Sequence, residues 1–480
     1  MAQQSFDLIV IGAGPVGQNV ADRAKQGGLT VAIVENELVG GECSYWACIP
    51  SKALLRSGNA LRTAQRVPGA REAATGDLDA NAVFARRNRF THDWTDDHEA
   101  KWLAGAGIEL FRGLGRITAP KKVTVTSADG SVTELSAVHA VAISTGTTAK
   151  IPDIPGLADA RPWTSREAVS AQSVPASLAV IGGGAVAVEM ATVFASFGTH
   201  VTVIARSGLL GGIEPFAGEL VAEALTGLGA TLHLSASPTS VSRTASGASI
   251  ELDTGDTVTA DEVLVATGRA PHTGELGLDS AGLDSSATTD GWLNTDDTLL
   301  VSGTDWLYAC GDSNHRALLT HQGKYQARAA GDVIAARATG SAVDDAPWGV
   351  HVATADHEAI PQVIFSDPEV AAVGLTAAAA EKAGYDIRVV DYDLGWVSGA
   401  SLQADDYQGR ARMVVDEQRR VVLGMTFVGQ DAADLVHAGT IAVVGQVPIE
   451  RLWHAVPSFP AMSEIWLRLL EQYGRPQVAR

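Results

Sequence analysis

The chain has 480 residues, with 35 Lys and Arg against 55 Asp and Glu, a net charge of −20. That balance excludes a basic face for nucleic acid or for anionic lipid. No run of about 18 apolar residues predicts a transmembrane helix. Hydrophobic residues make up 46% of the chain, 50 residues are glycine, and three cysteines occur without an export signal. We therefore expect a cytoplasmic α/β protein of two to four domains, without membrane or nucleic-acid partners.

The first thirty-five residues predict a complete strand–helix–strand unit, "FDLIVIGAGPVGQNVADRAKQGGLTVAIVE". Gly12, Gly14 and Gly17 form G-x-G-x-x-G between the first strand and the helix. These glycines allow a tight turn, close approach to a pyrophosphate, and close packing of helix on strand. Glu35 ends the second strand, where an acid binds ribose hydroxyls. Strand, helix, strand and acid in this order predict a dinucleotide site, with the pyrophosphate at the helix N-terminus.

Two cysteines, Cys43 and Cys48, follow in "GGECSYWACIPSK". On a regular helix, residues five apart point about 140° away from each other. Either the pair is never bonded, therefore, or the helix is distorted there, which Pro50 favours. A structural zinc site needs about four ligands, and Cys310 lies alone. A structural disulfide adds little to a chain this long. The local pattern thus favours a redox-active pair.

A second glycine pattern lies in "SLAVIGGGAVAVEMATVFASFGTHVTVIARSG", with Gly182, Gly184 and Ala187 in the three places. The position equivalent to the first unit's acid is Ala205, and Arg206 follows it. Loss of a carboxylate and gain of an arginine suit a 2′-phosphate, so the pattern predicts NADPH. The alternative is that Arg206 is only a solvated surface residue and that NADH is used.

Two dinucleotide units in one chain predict two dinucleotides that exchange electrons. Strands run into glycine turns at Thr145-Gly146, Gly268-Arg269 and Gly311-Asp312, and Asp312 is placed to bind a flavin ribityl hydroxyl. From about residue 350 the pattern changes to antiparallel strands with helices. The predicted fold class is α/β, with two Rossmann-like dinucleotide-binding domains and a C-terminal α+β dimerisation domain.

These motifs, together with "ATGRAP", "GDSNHRALLTH" and "VIFSDPEVAAVGLT", resemble the FAD-dependent pyridine nucleotide–disulfide oxidoreductases over essentially the whole chain. The resemblance implies bound FAD, NADPH as reductant, and a homodimer in which the partner's C-terminal segment completes each active site. It also implies four regions. Residues 1–150 begin the FAD domain, 151–270 bind NAD(P)H, 271–348 complete the FAD and central domain, and 349–480 form the dimerisation domain.

The resemblance also assigns roles. Electrons pass from NADPH to FAD, then to the Cys43–Cys48 disulfide, then to an acceptor. Cys48 is the thiolate beside the flavin, Cys43 attacks the outside disulfide, and Lys52 pairs with Glu189 beneath the flavin. The cofactor contacts it implies are Gly12, Gly14, Pro15, Gly17, Glu35, Asn36, Gly41, Glu42, Lys52, Thr145, Gly146, Gly182, Gly184, Ala187, Glu189, Arg206, Gly268, Arg269, Gly311, Asp312, Leu319 and Thr320.

The C-terminal segment departs from the family pattern. Family members usually carry His-Pro-Thr-x-Ser-Glu there, whereas this chain has "SFPAMSEIWLRLLE". Phe459 stands in place of the histidine acid/base, and Glu464 keeps the place of the glutamate that orients it. Loss of a general acid/base costs about 10²–10⁴-fold. His454 lies five residues earlier and would point elsewhere on a helix. We therefore predict weakened thiol–disulfide exchange.

Three functions follow from this combination. The first is an NAD(P)H-dependent disulfide reductase of altered substrate range. The second is a flavoenzyme acting on a quinone or another non-disulfide substrate. Thioether cleavage belongs here, because a branch resembling 2-ketopropyl-coenzyme M oxidoreductase/carboxylase also has Phe at this place. The third is a non-enzymatic redox sensor. Mercuric reduction is disfavoured because the C-terminus lacks a vicinal cysteine pair.

The two residues inside the cysteine motif, Tyr45 and Trp46, are also unusual for the family. One interpretation is simple packing against the edge of the isoalloxazine. The other is a narrowed, apolar substrate pocket.

Overall fold

The computed structural model describes residues 4–475, which form two compact units. The first contains the chain up to Pro50, Asn88–Thr148 and Arg269–His357. The second contains Ser51–Arg87, Ala149–Gly268 and the chain from Glu358 onward. The predicted α/β class, with two Rossmann-like units and a C-terminal α+β unit, is confirmed by the sheets described below. The exact boundaries of the four predicted regions stay a prediction.

The first unit is built on a mixed sheet. Buried β-branched residues form its central strand Gln4–Ile11, which pairs in parallel with Val31–Glu35 and with Val132–Ile143. Its strands, in spatial order, are Glu109–Arg112, Val31–Glu35, Gln4–Ile11, Val132–Ile143, Lys122–Thr126 and Leu114–Ala119, with Leu307–Ala309 also paired to Val132–Ile143. Short strands lie at Arg269–Pro271, Thr288–Thr289 and Trp292–Leu293. The parallel strands end at the glycine turns that the sequence predicts as binding loops.

Helices and short 3₁₀ turns connect the strands of the first unit. They are Pro15–Gln26, Gly41–Tyr45, Asp97–Ala106, Thr320–Thr339 and Ala355–Glu358, with 3₁₀ turns at His92–Trp94, Leu278–Ala281 and Gly311–Asn314. The helix Pro15–Gln26 packs its buried residues Val20 and Ala24 against Leu8, Val10 and Ile33 of the sheet.

The first glycine turn is packed as tightly as the motif predicts. Gly12 has φ +100°, a conformation that L side chains rarely adopt. A Cβ on Gly17 would lie 1.9 Å from the carbonyl oxygen of Gly12, and a Cβ on Gly41 would lie 3.0 Å from Cα of Gly14. The helix therefore reaches the strand and the following loop only because these positions lack side chains.

The second unit contains a parallel sheet in the order Thr231–Leu234, His200–Ala205, Ser177–Ile181 and Glu262–Val265. An antiparallel sheet, Pro238–Thr244, Gly247–Leu252 and Thr257–Ala260, shares a core with it. A larger antiparallel sheet runs Pro361–Ile364, Glu369–Gly374, Val421–Gly429, Arg410–Asp416 and Ile387–Asp393. The short strand Thr147–Ala149 lies at the junction of the two units in the sequence.

The helices of the second unit are Ser165–Ser170, Ala185–Ser196, Pro215–Gly227, Ala377–Lys382, Ser398–Ser401, Leu435–Val444, Ile449–Leu452 and Ile465–Tyr473, with 3₁₀ turns at Leu394–Trp396 and Met462–Glu464. The helices Cys48–Gln65 and Ala80–Phe90 each contribute to both units. Across residues 4–475, every helix is too short or too polar to span a bilayer.

We predict that Gly17→Ala destabilises the protein, because the added Cβ overlaps the Gly12 carbonyl and forces the helix away from the strand. Overpacking of this kind costs about 1–3 kcal/mol. Gly105→Ala is the matched control, because no atom lies within 4 Å of its added Cβ and the residue is helical. The control should be neutral or stabilising by up to about 1 kcal/mol. Denaturant unfolding measures both, and equal stability of the two variants would contradict the packing argument.

Candidate active site

The cysteine segment does not form one continuous helix. The short helix Gly41–Tyr45 ends at Trp46, whose φ of −133° and ψ of 6° leave the helical range, and a new helix begins at Cys48. Cys43 and Cys48 therefore lie on different helices, as the distortion hypothesis required. Both are present as thiols, and their side chains lie within hydrogen-bonding reach of each other. The break in the helix lets two residues five apart in sequence face each other.

The surroundings of the two sulfurs favour one ionised thiol. The pKa of the Cys43 thiol is raised, first by its hydrogen bond to Cys48, then by burial and by negative charge on Cys48. Cys48 Sγ lies 3.3 Å from Thr320 Oγ1 and begins an 18-residue helix, where backbone N–H groups favour an anion. The structure thus places Thr320 beside a sulfur, a contact that the sequence did not predict.

Lys324 is a residue that sequence analysis missed. It lies four residues after Thr320 in the helix Thr320–Thr339, on the same face. Long helical side chains point back toward the N-terminus, which directs Lys324 toward Thr320 and the thiols. Its positive charge lowers the pKa of Cys43 and so opposes the larger effects that raise it. Within residues 4–475, no carboxylate forms an ion pair with Lys324.

The first glycine turn has the polar groups that a flavin dinucleotide needs. Glu35 Oε2 accepts a hydrogen bond from the Ala13 N–H at 2.8 Å, and Oε1 accepts one from Glu37 at 2.8 Å. Burial raises the pKa of Glu35. Nearby buried polar atoms have no hydrogen-bond partner among the described residues, namely Gln18 Nε2, Ser144 Oγ and Thr145 Oγ1. Buried polar atoms are normally paired, so these fit a polar ligand such as FAD.

A hydrogen-bonded chain through Thr147 joins three of the predicted cofactor positions in the first unit. Thr147, which sequence analysis missed, donates from Oγ1 to Asp312 Oδ2 at 2.8 Å and accepts from Arg269 Nε at 2.9 Å. Arg269 Nη2 also lies 3.5 Å from Glu42 Oε2. Burial raises the pKa of Asp312, while the hydrogen bond from Thr147 lowers it. Gly311 donates its N–H to Gln326 Oε1 at 2.8 Å, which fixes the turn before Asp312.

The remaining first-unit positions are placed at helix starts and turns. Pro15 is the first residue of its helix, Leu319 directly precedes the helix Thr320–Thr339, and Asn36 is exposed after Glu35. Gly146 has φ +68°. None of these positions contradicts a cofactor role, and that role stays a prediction.

The second glycine turn, in the second unit, has the same backbone geometry. Gly182 has φ +132°, and a Cβ there would lie 2.3 Å from the Ala266 carbonyl oxygen. Gly184 begins the helix Ala185–Ser196, in which Ala187 is buried. Gly268 has φ +125° and accepts a hydrogen bond from Lys150. Arg206 is exposed at the end of the strand His200–Ala205, and no ion pair holds its guanidinium within residues 4–475. This turn fits a nicotinamide dinucleotide, and a contact of Arg206 with a 2′-phosphate stays a prediction.

The second unit also contains the predicted ion pair. Lys52 Nζ lies 2.7 Å from Glu189 Oε2, and the Glu189 side chain is 7% exposed. Glu189 Oε1 accepts the Phe365 N–H at 3.0 Å, and Lys52 Nζ lies 5.0 Å from the centre of the Phe365 ring. Lys52 follows Cys48 by one turn of the same helix. The pair is present as the resemblance implies, and its place relative to a flavin stays a prediction.

The C-terminal segment carries an exposed aromatic and a buried acid. Phe459 is 75% exposed, and His454 is also exposed. Glu464 is 4% exposed, and its Oε1 accepts a hydrogen bond from Arg468. Glu464 Oε2 is buried and has no partner in the described part of the chain. That Phe459 replaces a histidine oriented by Glu464 stays a prediction.

Tyr45 does not line a pocket. It is 0% exposed, and its hydroxyl lies within 3.2 Å of the Val39 carbonyl, the Thr95 carbonyl and Glu99. The interpretation that Tyr45 narrows a substrate pocket is therefore wrong. Trp46 is half-buried beside it, with ring centres 5.7 Å apart.

Comparison with known proteins agrees with this site. The family model described as "Pyridine nucleotide-disulphide oxidoreductase" matches residues 6–332, and the dimerisation domain of the same family matches residues 360–469. A mercuric reductase from Staphylococcus aureus is 31% identical, over 96% of this chain and 81% of its own. A dihydrolipoyl dehydrogenase from Chlorobaculum tepidum is 32% identical, over 96% of this chain and 95% of its own. The HOCl-induced flavoprotein disulfide reductase RclA from Escherichia coli has the same fold, with a TM-score of 0.82 at 22% identity, over 97% and 99%.

We predict that Lys324→Met lowers the reactivity of Cys43. Removing the positive charge raises the pKa of Cys43 further, so less thiolate forms at any given pH below that pKa. The alkylation rate of Cys43 in the reduced protein should fall by about threefold or more at neutral pH. Tandem mass spectrometry after iodoacetamide pulses separates Cys43 from Cys48. Lys324→Arg should keep the wild-type profile and Lys382→Met should not change it. A Met variant with the wild-type profile would show that Lys324 has no effect on the thiol.

Proposed function

Because the chain belongs to the pyridine nucleotide–disulfide oxidoreductase family and is an FAD-dependent oxidoreductase of that class, we propose that it is an NADPH-dependent reductase whose Cys43–Cys48 pair carries electrons to a small acceptor. The observation that best supports this proposal is the thiol pair itself. Two cysteines on separate helices face each other, with Thr320 against Cys48 and Lys324 acting on Cys43.

The chain offers residues for both cofactors. FAD would lie on the Gly12–Gly17 turn, with Glu35 on the adenosine ribose and Asp312 and Thr147 on the ribityl chain. When bound, the flavin accepts two electrons from the nicotinamide and passes them to the disulfide. NADPH would lie on the Gly182–Ala187 turn, with Arg206 on its 2′-phosphate. The resemblance assigns Lys52, which pairs with Glu189, as the cation that would stabilise negative charge on the reduced flavin.

Disulfide exchange on the reduced pair has two separate requirements. The Cys43 thiolate attacks an external disulfide, and one sulfur of that disulfide leaves as a thiolate that needs a proton. Cys48 then attacks Cys43, which closes the internal disulfide and releases the second thiol. Phe459 can neither take nor give a proton, and the unpartnered oxygen of Glu464 supports the loss of an imidazole at this place. Exchange therefore runs without the usual acid.

The functional molecule in this proposal is a homodimer. The chain carries the family's dimerisation domain at residues 360–469, and Phe459 with its exposed neighbours lies inside that range. Each active site would then receive Phe459 and Glu464 from the partner subunit.

A second candidate function is favoured by Phe459. Acceptors such as quinones take electrons without a thiol leaving group and do not need the missing acid. A panel of acceptors with wild-type protein and Cys43→Ser separates the two functions. Disulfide turnover should be abolished in the variant, whereas quinone turnover should persist. Loss of both would show that every acceptor is reduced through the cysteine pair.

We predict that Phe459→His increases turnover of a small disulfide by at least about tenfold, toward the general acid/base factor of about 10²–10⁴. The imidazole supplies the leaving-group proton, and Glu464 Oε2 is available to orient it. Steady-state kinetics with NADPH measure the gain, and NADPH-dependent flavin reduction should change little. Phe459→Leu is the matched control and should show no gain.

A second substitution, at Arg468, tests the role of Glu464, because Arg468 donates a hydrogen bond to the other carboxylate oxygen of Glu464. Phe459→His with Arg468→Leu should equal or exceed Phe459→His alone, since the carboxylate is then free to turn toward the imidazole. Arg468→Leu alone should give no gain. Wild-type turnover at ordinary enzyme rates, or no gain from the histidine in either background, would contradict the assigned role of Phe459.

We predict that the protein prefers NADPH and that Arg206→Ala removes the preference. A lost guanidinium–phosphate contact should lower kcat/KM for NADPH by about tenfold, or about 1.4 kcal/mol, and leave the value for NADH unchanged. Arg89→Ala removes another exposed arginine and serves as control. An unmutated protein that favours NADH tenfold would show that Arg206 only faces solvent.

A further inference from the structure

The segment Thr91–Glu99 contains the most unusual backbone near the cysteines. His92, Asp93 and Trp94 have φ values of 48°, 50° and 55°. L residues rarely adopt this left-handed conformation, and three in succession without glycine are costly. Such a turn persists only where surrounding contacts enforce it. We call residues 91–99 the clamp.

The clamp holds the loop between the two cysteines directly. The Trp94 indole N–H donates to the Tyr45 carbonyl oxygen at 3.2 Å. In the other direction, the Tyr45 hydroxyl lies 3.1 Å from the Thr95 carbonyl and 3.2 Å from Glu99 Oε2. Tyr45 thus bonds the clamp through both its backbone and its side chain, two residues after Cys43. Burial, followed by the charge of Glu99, raises the pKa of the Tyr45 hydroxyl, which stays protonated as a donor.

The clamp is itself anchored to the sheet. Asp96 Oδ2 accepts the Val39 N–H at 2.6 Å and a hydrogen bond from Arg112 Nη1 at 2.6 Å. Arg112 ends a strand of the first sheet, and Val39 is fully buried in its core. The left-handed turn is therefore fixed at its base, and it transmits that rigidity to Tyr45.

We propose that Tyr45 and Trp94 are positioning residues that set the reduction potential of the Cys43–Cys48 pair. The inference rests on the proposed function. The internal disulfide takes up two electrons and two protons to give two thiols, and the clamp acts on the free energy difference between these states. The disulfide already restrains the loop by a covalent bond, whereas in the dithiol the loop is held by noncovalent contacts, and the clamp supplies three of them. The clamp therefore disfavours the dithiol, keeps the sulfurs close, and lowers the potential.

The test measures the dithiol–disulfide equilibrium of the intact FAD-loaded protein in dithiothreitol redox buffers. Thiols are trapped by alkylation and counted by mass, so the readout does not depend on turnover. Tyr45→Phe removes only the hydroxyl, and Trp94→Phe removes the indole N–H donor together with one ring of the side chain. Each should shift the equilibrium constant toward the dithiol by about tenfold, a rise of about 30 mV. Trp102→Phe, at an exposed position of the neighbouring helix, should keep the wild-type value.

The outcomes separate this inference from the function on which it rests. If Tyr45→Phe does not fold, Trp94→Phe decides alone, with thermal unfolding to confirm that it is folded. If the wild-type protein forms the disulfide and the folded variants have the wild-type potential, the role of the clamp is overturned and the proposed function stands. An equal shift in Trp102→Phe would also overturn it, because the effect would then be nonspecific. A wild-type protein that forms no Cys43–Cys48 disulfide in oxidising buffer would overturn both.

Discussion

The break in the helix at Trp46 is the constraint on which the redox site depends. In an unbroken helix the side chains of Cys43 and Cys48 would point about 140° apart. Because the chain leaves the helical conformation at Trp46 and begins a new helix at Cys48, the two thiols meet. The same break puts Cys48 at a helix N-terminus, which stabilises a thiolate. One local departure from regular structure thus supplies both the proximity and the electrostatics of the pair.

The parts of the site that sequence analysis predicted are those governed by local backbone chemistry. A glycine is required wherever a side chain would collide with a carbonyl, and Gly12, Gly17 and Gly182 meet that condition in the structure. The ion pair of Lys52 and Glu189 was reached by resemblance and is present. The glycine positions follow from a strongly constrained local motif, and the ion pair follows from the family resemblance. Both could therefore be predicted from the sequence.

The parts that could not be predicted depend on contacts between distant segments. Tyr45 looked like a pocket residue because its neighbours in sequence are the cysteines, yet its hydroxyl bonds Thr95 and Glu99, about fifty residues away. Thr147 joins Asp312 to Arg269 across 165 and 122 residues. The charge of Lys324 acts on Cys43 from another helix. No periodicity or motif in the sequence encodes such pairings, because they arise only when the sheet brings the segments together.

The chemistry of exchange divides into forming a thiolate and protonating a leaving group, and the chain treats the two differently. Thiolate formation is supported by fixed features of its own first unit, namely Thr320, Lys324 and a helix N-terminus. In the proposed function, protonation of the leaving group lacks the histidine donor of the family pattern, because Phe459 stands at its place. The missing proton donor does not slow an acceptor whose leaving group is a stable anion, or one that takes electrons without releasing a thiolate. It slows the reduction of an aliphatic disulfide, whose leaving thiolate is basic. Under the proposed function, we therefore infer that the acidity of the leaving group selects the acceptor.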